Sequence, residues 1–452
     1  LYLKLYDDVL PKTREGFAKL LGAIKHGFET RGLEVVQAPV CRIKPEFEKA
    51  VSAFTKADVD CIVSLHMAYS PSLESVGAMA KTEVPIIILD TTMDESFDQK
   101  VDPDRIMYNH GVHGVMDFAS MLRRNGRRYS IVAGHYRRPE VLDRAADMVR
   151  AAYAARELKT TRALRIGESF RGMGDFSVAE PVMAKKLGIE VTQKGIADLA
   201  RAMRGVTARE VAAEINSDVK NFRVTAPRSV HERSVRVSLG LRRMLDAGRY
   251  GAFSMNFLVF NGSHGVDTLP FLEASKGMAR GIGYGGEGDV LTASLVGALQ
   301  RGFGRTTFTE VFCPDWKGGT VFLSHMGEIN PAVASGKPEL VEKQFVFTGT
   351  KNPAVITCGL KTGPAVFVNL VPGPRDTFSL VLAPVTVLAD SKRKDMAPVV
   401  RGWMRPAAGL ERFLEEYSRH GGTHHSALVL GDRLEGLVAF AQYAGLEAVV
   451  IG

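Results

Sequence analysis

The sequence predicts an α/β protein: two doubly wound parallel-sheet domains followed by a β-rich, mainly antiparallel C-terminal domain. Three observations carry this. Continuous apolar runs alternate with segments of helical period through the first two thirds of the chain, and unbroken apolar strands belong to parallel sheets covered on both faces. From about residue 306 the texture changes to short β-rich runs divided by Gly and Pro. The length, 452 residues, exceeds what a single core sustains. The division expected is residues 1–157, 158–305 and 306–452.

Each element has its own signal. Residues 12–31 place Phe17, Leu20, Leu21, Ile24 and Phe28 on one side of a helix. Residues 33–37 read as a strand, 47–54 as a helix, 61–65 and 86–89 as buried strands, 129–133 as another strand and 139–153 as a helix. A doubly wound sheet ordinarily opens with a strand, and only a stub precedes the first helix, so a first strand is expected upstream. The polar residues 156–162 read as a linker. Beyond them 163–166, 189–193 and 252–260 read as strands, and 229–245 and the segment after Asp289 as helices. In the last third, 320–323, 344–347, 355–358, 365–370 and 378–382 read as strands. Only 434–443 and 446–451 return to a helix and a strand.

Composition excludes several classes. The formal net charge is +8, but Lys and Arg are interleaved with acids, and the densest runs, at 123–128 and 392–394, are short. No nucleic-acid partner is expected. No apolar run is long enough to span a bilayer, so no membrane partner is expected either. The first residues lack an initiator Met and a signal-peptide layout. Cys41, Cys61, Cys313 and Cys358 form no CxxC pair, which argues against a thiolate zinc cluster. They read as small buried apolar residues in a reducing, cytoplasmic setting.

Four places carry chemistry. The glycine-rich Gly281-Ile282-Gly283-Tyr284-Gly285-Gly286-Glu287-Gly288-Asp289 brings backbone close to something, with Asp289 as a helix N-cap and Glu287 in the turn before it. Gly281, Gly283 and Gly286 match G-x-G-x-x-G, but a dinucleotide site needs those glycines after a strand, and 270–280 reads as helical. Glu310 is a carboxylate inside an apolar run. It lies either on the solvated face of an edge strand or partly buried as a metal ligand or tuned acid. His325 ends an apolar strand in Ser324-His325-Met326-Gly327-Glu328. His424 and His425 follow two glycines, and extended backbone sends them to opposite sides, so that one faces a site while the other packs. Two carboxylates and two imidazoles suit a divalent ion such as Mn²⁺ better than structural zinc. No HExxH, GxSxG or P-loop competes with them.

At these motifs the chain resembles the L-arabinose isomerase family. The likeness runs in order through Leu65-His66, His113-Gly114, Gly134-His135, Leu269-Pro270, Gly286-Glu287-Gly288-Asp289, Ser324-His325-Met326, Thr362-Gly363-Pro364 and Gly422-Thr423-His424-His425. It implies two α/β domains followed by a β-rich one. It implies Mn²⁺, or a similar ion such as Co²⁺ or Mg²⁺, held by Glu287, Glu310, His325 and His425. It implies a homo-oligomer, often a hexamer, with the active site at a subunit interface and His113 contributed by a neighbouring chain. Phe260 matches an apolar residue of the sugar site, Leu5 belongs to a matching Leu-Tyr pair, and His424 joins the substrate-facing residues. Departures fall in the sugar-contacting shell. Leu3 stands where the family has Gln, Phe170 where it has Met, and Val290 where it has Trp; the segment between Glu310 and His325 differs strongly.

The reaction implied is aldose–ketose isomerisation of L-arabinose to L-ribulose, or of a related aldose. A proton moves between carbons 1 and 2 through a cis-enediol, with Glu287 and Glu310 as the proton-carrying pair. A metal-assisted hydride shift on the same ligands is the alternative mechanism. A non-catalytic sugar-binding protein on this fold, or a nicotinamide-dependent oxidoreductase using the glycine turn, are the alternative functions.

Overall fold

Short runs, most of them apolar and all too short for helices, form the parallel sheets, and the helical-period segments between them become the crossovers. The computed structural model describes residues 1–391 and 393–452. Lys392, in the basic run noted above, lies outside the described residues. The chain divides into two compact units, Leu1–Tyr153 and Ala154–Gly452.

The first unit contains α1 (Lys4–Val9), α2 (Ala18–Glu29), α3 (Lys44–Lys56), β1 (Ile62–Leu65), α4 (Ser72–Met79), β2 (Ile86–Asp90), α5 (Gly111–Arg124), β3 (Ser130–Ala133) and most of α6 (Pro139–Lys159). Its sheet is parallel in the order β1-β2-β3. Ile86, Ile87, Ile88 and Leu89 are fully buried, as a strand covered on both faces requires. Leu20, Ile24 and Phe28 of α2 are buried at a spacing of four, which is one stripe of a helix.

The second unit continues with β4 (Arg162–Ile166), α7 (Glu180–Leu187), β5 (Glu190–Lys194), α8 (Ile196–Met203), α9 (Ala208–Asn221), β6 (Arg223–Val224), α10 (Arg228–Gly248), β7 (Ala252–Met255), α11 (Phe271–Ala279), β8 (Gly283–Gly285) and α12 (Val290–Phe303). β5-β4-β7-β8 form a second parallel sheet. Nearly every side chain of α12 is buried, the mark of a core helix. It packs on β8 through Gly283, where a Cβ would lie 1.9 Å from the Ala293 carbonyl.

Then come β9 (Thr306–Asp315), β10 (Thr320–Ser324), β11 (Glu339–Glu342), β12 (Ala354–Thr357), β13 (Gly363–Pro372), β14 (Phe378–Val387), β15 (Gly402–Pro406), α13 (Leu410–Arg419), β16 (His425–Leu430), α14 (Leu434–Ala444) and β17 (Glu447–Val450). Six antiparallel strands, β13-β16-β9-β10-β15-β14, close on themselves because β14 also pairs with β13; β17 joins β14 in parallel. Closure removes the open edges of an antiparallel sheet. A small sheet, β12-β11-β6, completes the unit. Among the described residues no helix is long and apolar enough to cross a membrane.

The structure corrects several expectations. Residues 33–37 belong to no strand. The proposed linker at 156–162 is the end of α6 and the start of β4, with Leu158 and Thr161 buried and Glu157 paired with Arg301. The strand expected over 252–260 stops at Met255, because the Asn256 side chain accepts from Leu258 N–H and starts a 3₁₀ turn. Residues 344–347 form a turn, with Phe345 packed edge-on against Phe257 and Phe271 rather than alternating. The helix α13 interrupts a stretch read as all β, and Cys313 is exposed, not buried.

Candidate metal centre

Strand register assembles three of the four candidate ligands. β9 lies inside the barrel sheet between β16 and β10, not at an edge. Glu310 on β9 stands opposite His425, the first residue of β16, and opposite Ser324, the last residue of β10. His325 follows Ser324 immediately, so three side chains distant in sequence share one level of the sheet. The fourth, Glu287, comes from the turn between β8 and α12. That turn needs glycine. A Cβ on Gly286 would sit 3.1 Å from His425 Nε2 and 3.5 Å from His325 Nε2, so any larger residue would crowd the space the ligands face. Glu287 itself adopts φ of 51°, a conformation uncommon for a residue with a Cβ and a local cost of order 1 kcal/mol. Ser254 Oγ secures the turn by donating to the Gly285 and Gly286 carbonyls at 2.7 and 3.1 Å.

The donor atoms of Glu287, Glu310, His325 and His425 all lie within 4.8 Å of one another. His425 Nε2 is 2.7 Å from Glu287 Oε2 and 3.1 Å from Glu310 Oε1, and His325 Nε2 is 3.2 Å from Glu310 Oε1. Both imidazoles thus present Nε2 to the same space. Their Nδ1 atoms are held from behind by other carboxylates. His425 Nδ1 is 3.0 Å from Asp289 Oδ2, and His325 Nδ1 is 2.6 Å from Glu328 Oε2. Asp289 uses its other oxygen to accept from Thr292 N–H and cap α12; Tyr284 Oη donates to Glu328 at 2.8 Å. A carboxylate behind Nδ1 fixes the tautomer that leaves Nε2 free as a ligand.

Aromatic walls surround this polar centre. The Phe176 ring stacks on His425 with centroids 4.9 Å apart, and Phe308 meets His325 and His425 edge-on at 4.8 and 5.1 Å. Burial alone would raise the Glu287 and Glu310 carboxyls, but the two imidazoles beside them prevail and hold both below the ordinary range. Burial opposes charge on the histidines as well. The carboxylates facing His325 and His425 outweigh it and raise both well above the usual imidazole value. Two oxygen and two nitrogen donors, converging and backed by further carboxylates, fit a divalent cation.

The remaining candidates fall elsewhere. The two histidines differ in burial but do not part as expected: the His424 ring lies tilted against the His425 ring with centroids 4.2 Å apart, and both pack on Phe176. His424 is half-exposed, and both its N–H and its Nδ1 meet Asp175 Oδ2, at 2.9 and 2.6 Å. Phe170 N–H donates to the Glu287 carbonyl at 2.9 Å, and its ring packs on Phe257. Phe260 is fully buried. Leu5 and His113 belong to the first unit, where both are exposed and His113 lies 6.0 Å from the His110 ring. Sequence reasoning gave Asp289 only a capping role and Glu328 none. The His-x-x-Glu spacing of His325 and Glu328 was an available signal; nothing local ties Asp289 to His425, 136 positions away.

The glycines of the dinucleotide-like pattern serve packing and the metal-ligand space. Gly283 lies within β8 beneath α12, Gly281 packs against the Arg301 side chain, Gly286 leaves room for the two imidazoles, and the segment ahead of Gly281 is the helix α11.

Comparison with known proteins follows the same layout. Three family models match in succession: the L-arabinose isomerase N-terminal domain over residues 8–160, the central domain over 164–302 and the C-terminal domain over 305–447. The L-arabinose isomerase of Geobacillus kaustophilus (strain HTA426) is 29% identical over 425 residues, covering 90% of this chain and 84% of that protein. The enzyme of the same name from Herpetosiphon aurantiacus is 28% identical over 462 residues, covering 98% and 91%. That from Nocardioides sp. (strain ATCC BAA-499 / JS614) is 28% identical, covering 98% and 90%.

Proposed function

Because the chain belongs to the L-arabinose isomerase family and is an aldose–ketose isomerase, we propose that it is metal-dependent, with Glu287, Glu310, His325 and His425 holding one divalent cation. Mn²⁺ is the first candidate, Co²⁺ and Mg²⁺ the next. The observation that carries this reading is the convergence of four donor atoms within 4.8 Å, with each imidazole Nδ1 already taken by a buried carboxylate.

When bound, such an ion supplies Lewis-acid stabilisation of negative charge on the substrate oxygens. The chain's own residues do the rest. Glu287 and Glu310 are the carboxylates available to take a proton from one carbon and return it to its neighbour, through a cis-enediol. Asp289 and Glu328 orient the imidazoles. Phe176 and Phe308 keep water from the flanks of the site, which strengthens every charge interaction inside it.

The substrate in this reading is L-arabinose or a related aldose, contacted by residues that include Phe170, Phe260, Leu5 and His424. His113 completes the site from a neighbouring subunit of a homo-oligomer, a hexamer in this reading. The setting is cytoplasmic, in keeping with cysteines that are all free thiols. The test is a panel of pentoses, tetroses and hexoses offered to metal-stripped protein with and without Mn²⁺, following ketose. Mn²⁺-dependent conversion of at least one aldose is expected. No conversion across the panel with Mn²⁺ bound would overturn the proposal.

A further inference from the structure

The loop that follows β4, residues 167–179, delivers two neighbouring side chains to two neighbouring histidines. It leaves the carboxyl end of a parallel strand, where α/β folds place their functional loops. Its first half is tied to the metal-ligand turn. Phe170 N–H donates to the Glu287 carbonyl at 2.9 Å, and a Cβ on Gly288 would sit 2.7 Å from Ser169 Cα. Its second half contains a tight turn, in which Ser177 N–H donates to the Gly174 carbonyl at 3.3 Å. Asp175 and Phe176 are the central residues of that turn. Phe176 is buried and stacks on His425. Asp175 Oδ2 accepts from the His424 backbone N–H at 2.9 Å and from its ring Nδ1 at 2.6 Å.

The Asp175 contact repeats a pattern. Three imidazoles stand together, and each has a carboxylate at Nδ1: Glu328 behind His325, Asp289 behind His425 and Asp175 behind His424. An ionised carboxylate only accepts, so Nδ1 donates and Nε2 is left as the lone-pair nitrogen. For His325 and His425 that Nε2 faces the ligand space. The Nε2 of His424 has no hydrogen-bond partner among the described residues. Its ring is half-exposed and lies 4.2 Å from the His425 ring, on the rim of the centre. A surface ion pair alone contributes little. This one differs because a single oxygen fixes both the backbone and the ring of His424.

We propose that Asp175 is a positioning residue, which holds His424 so that Nε2 accepts a hydrogen bond from a hydroxyl of the sugar. The inference rests on the metal-dependent aldose reading given above. The four donors of the centre serve the reacting end of the aldose. His424, outside that set, is left for a hydroxyl further along the carbon chain. A ring already held by Asp175 needs no ordering when the sugar arrives, which is how preorganisation gains affinity.

The test crosses Asp175→Asn with His424→Ala in the full, Mn²⁺-loaded chain, using the aldose of the panel that the unaltered chain converts fastest. An amide offers a donor and an acceptor where the carboxylate offers acceptors alone, so the ring is no longer held in one tautomer. Asp175→Asn is expected to raise KM by about three- to tenfold, the worth of one hydrogen bond, with little change in kcat. In the His424→Ala background the same change should leave KM where it was, because a residue acting through another is silent once that other is gone. Nitrogen-15 shifts of the His424 ring add a readout independent of turnover. They should place the proton on Nδ1 in the unaltered chain and redistribute it in Asp175→Asn. An unchanged KM in Asp175→Asn, an equal rise in both backgrounds, or a proton on Nε2 in the unaltered chain would overturn the proposal. So would a loss of Mn²⁺ affinity in Asp175→Asn, which would make Asp175 part of the metal support instead. If the unaltered chain converts no aldose, the proposed function falls and takes this inference with it; if it converts one, these outcomes strike Asp175 alone.

Discussion

Two buried charge clusters in the second unit are built from the same acids and differ in what balances them. At the barrel, Glu287 and Glu310 face only imidazoles. Among the helices α9, α10 and α11, Glu214, Asp218 and Glu273 face Arg242, Lys276 and His231. Arg242 bridges Glu214 at 2.8 Å and Glu273 at 2.9 Å, Lys276 pairs with Glu214 at 2.6 Å and with Asp218, and His231 Nε2 lies 2.9 Å from Asp218. Guanidinium and ammonium groups are permanent donors with no lone pair to offer a metal. They saturate the helix cluster and clip three helices together. An imidazole can give up its proton and become a ligand. The same carboxylates are therefore a staple in one place and a candidate metal centre in the other. Among the described residues, only the barrel cluster gathers metal-binding donors within 4.8 Å.

Substitutions can break that contrast, in order of size. Glu310→Gln should lower turnover by about 10²- to 10⁴-fold, the usual worth of a proton-transfer group, with little change in Tm; initial rates of ketose formation check it. Wild-type turnover would remove Glu310 from the chemistry. His425→Ala should weaken Mn²⁺ binding by more than the roughly 100-fold upper range for an outer hydrogen-bond partner. His424→Ala, on the exposed side, should leave affinity near that of the unaltered chain. Calorimetric titration separates them, and equal affinities would reverse the assignment.

Asp289→Asn and Glu328→Gln remove charge behind each Nδ1 and should each cost about 10- to 100-fold in Mn²⁺ affinity. Asn still caps a helix, so Asp289→Asn should act on the metal more than on the fold. An unchanged affinity in both variants would mean that neither carboxylate tunes its imidazole.

The helix cluster supplies the smallest effect. Burial would raise the Glu214 carboxyl, but Arg242 and Lys276 bring it down to about 2. A depressed folded-state pKa stabilises above the ordinary glutamate value of about 4.3 and loses that contribution as pH falls through the folded value near 2. Glu214→Gln should cost about 2 kcal/mol at neutral pH, shrinking toward zero as pH falls from about 4 to about 2, with no change in Mn²⁺ affinity. Melting curves across that range check it.

How much of this was readable in sequence depended on how local each signal was. β2 was plain because burial on both faces leaves an unbroken apolar run, and α12 because nearly all of it is buried. The segment 33–37 carried the same Val-rich signal yet pairs with nothing, since a strand requires a partner that its own residues do not specify. Glu310 read equally well as an edge-strand acid or a buried one; only the register of β9 between β16 and β10 decides for burial. His325 and His425 could be picked out by their positions after a strand and after two glycines. Their backing by Glu328 and Asp289 came from folding, because the Asp289 contact joins residues far apart in the chain.

The imidazole-balanced cluster is expected to hold one divalent cation and the Arg- and Lys-balanced cluster none. Electron paramagnetic resonance counts bound Mn²⁺ directly. The unaltered chain and Glu214→Gln are predicted to bind one ion each with the same affinity, and the double variant Glu310→Gln/His425→Ala none in that range. One tightly bound Mn²⁺ in the double variant, or its loss from Glu214→Gln alone, would contradict the account.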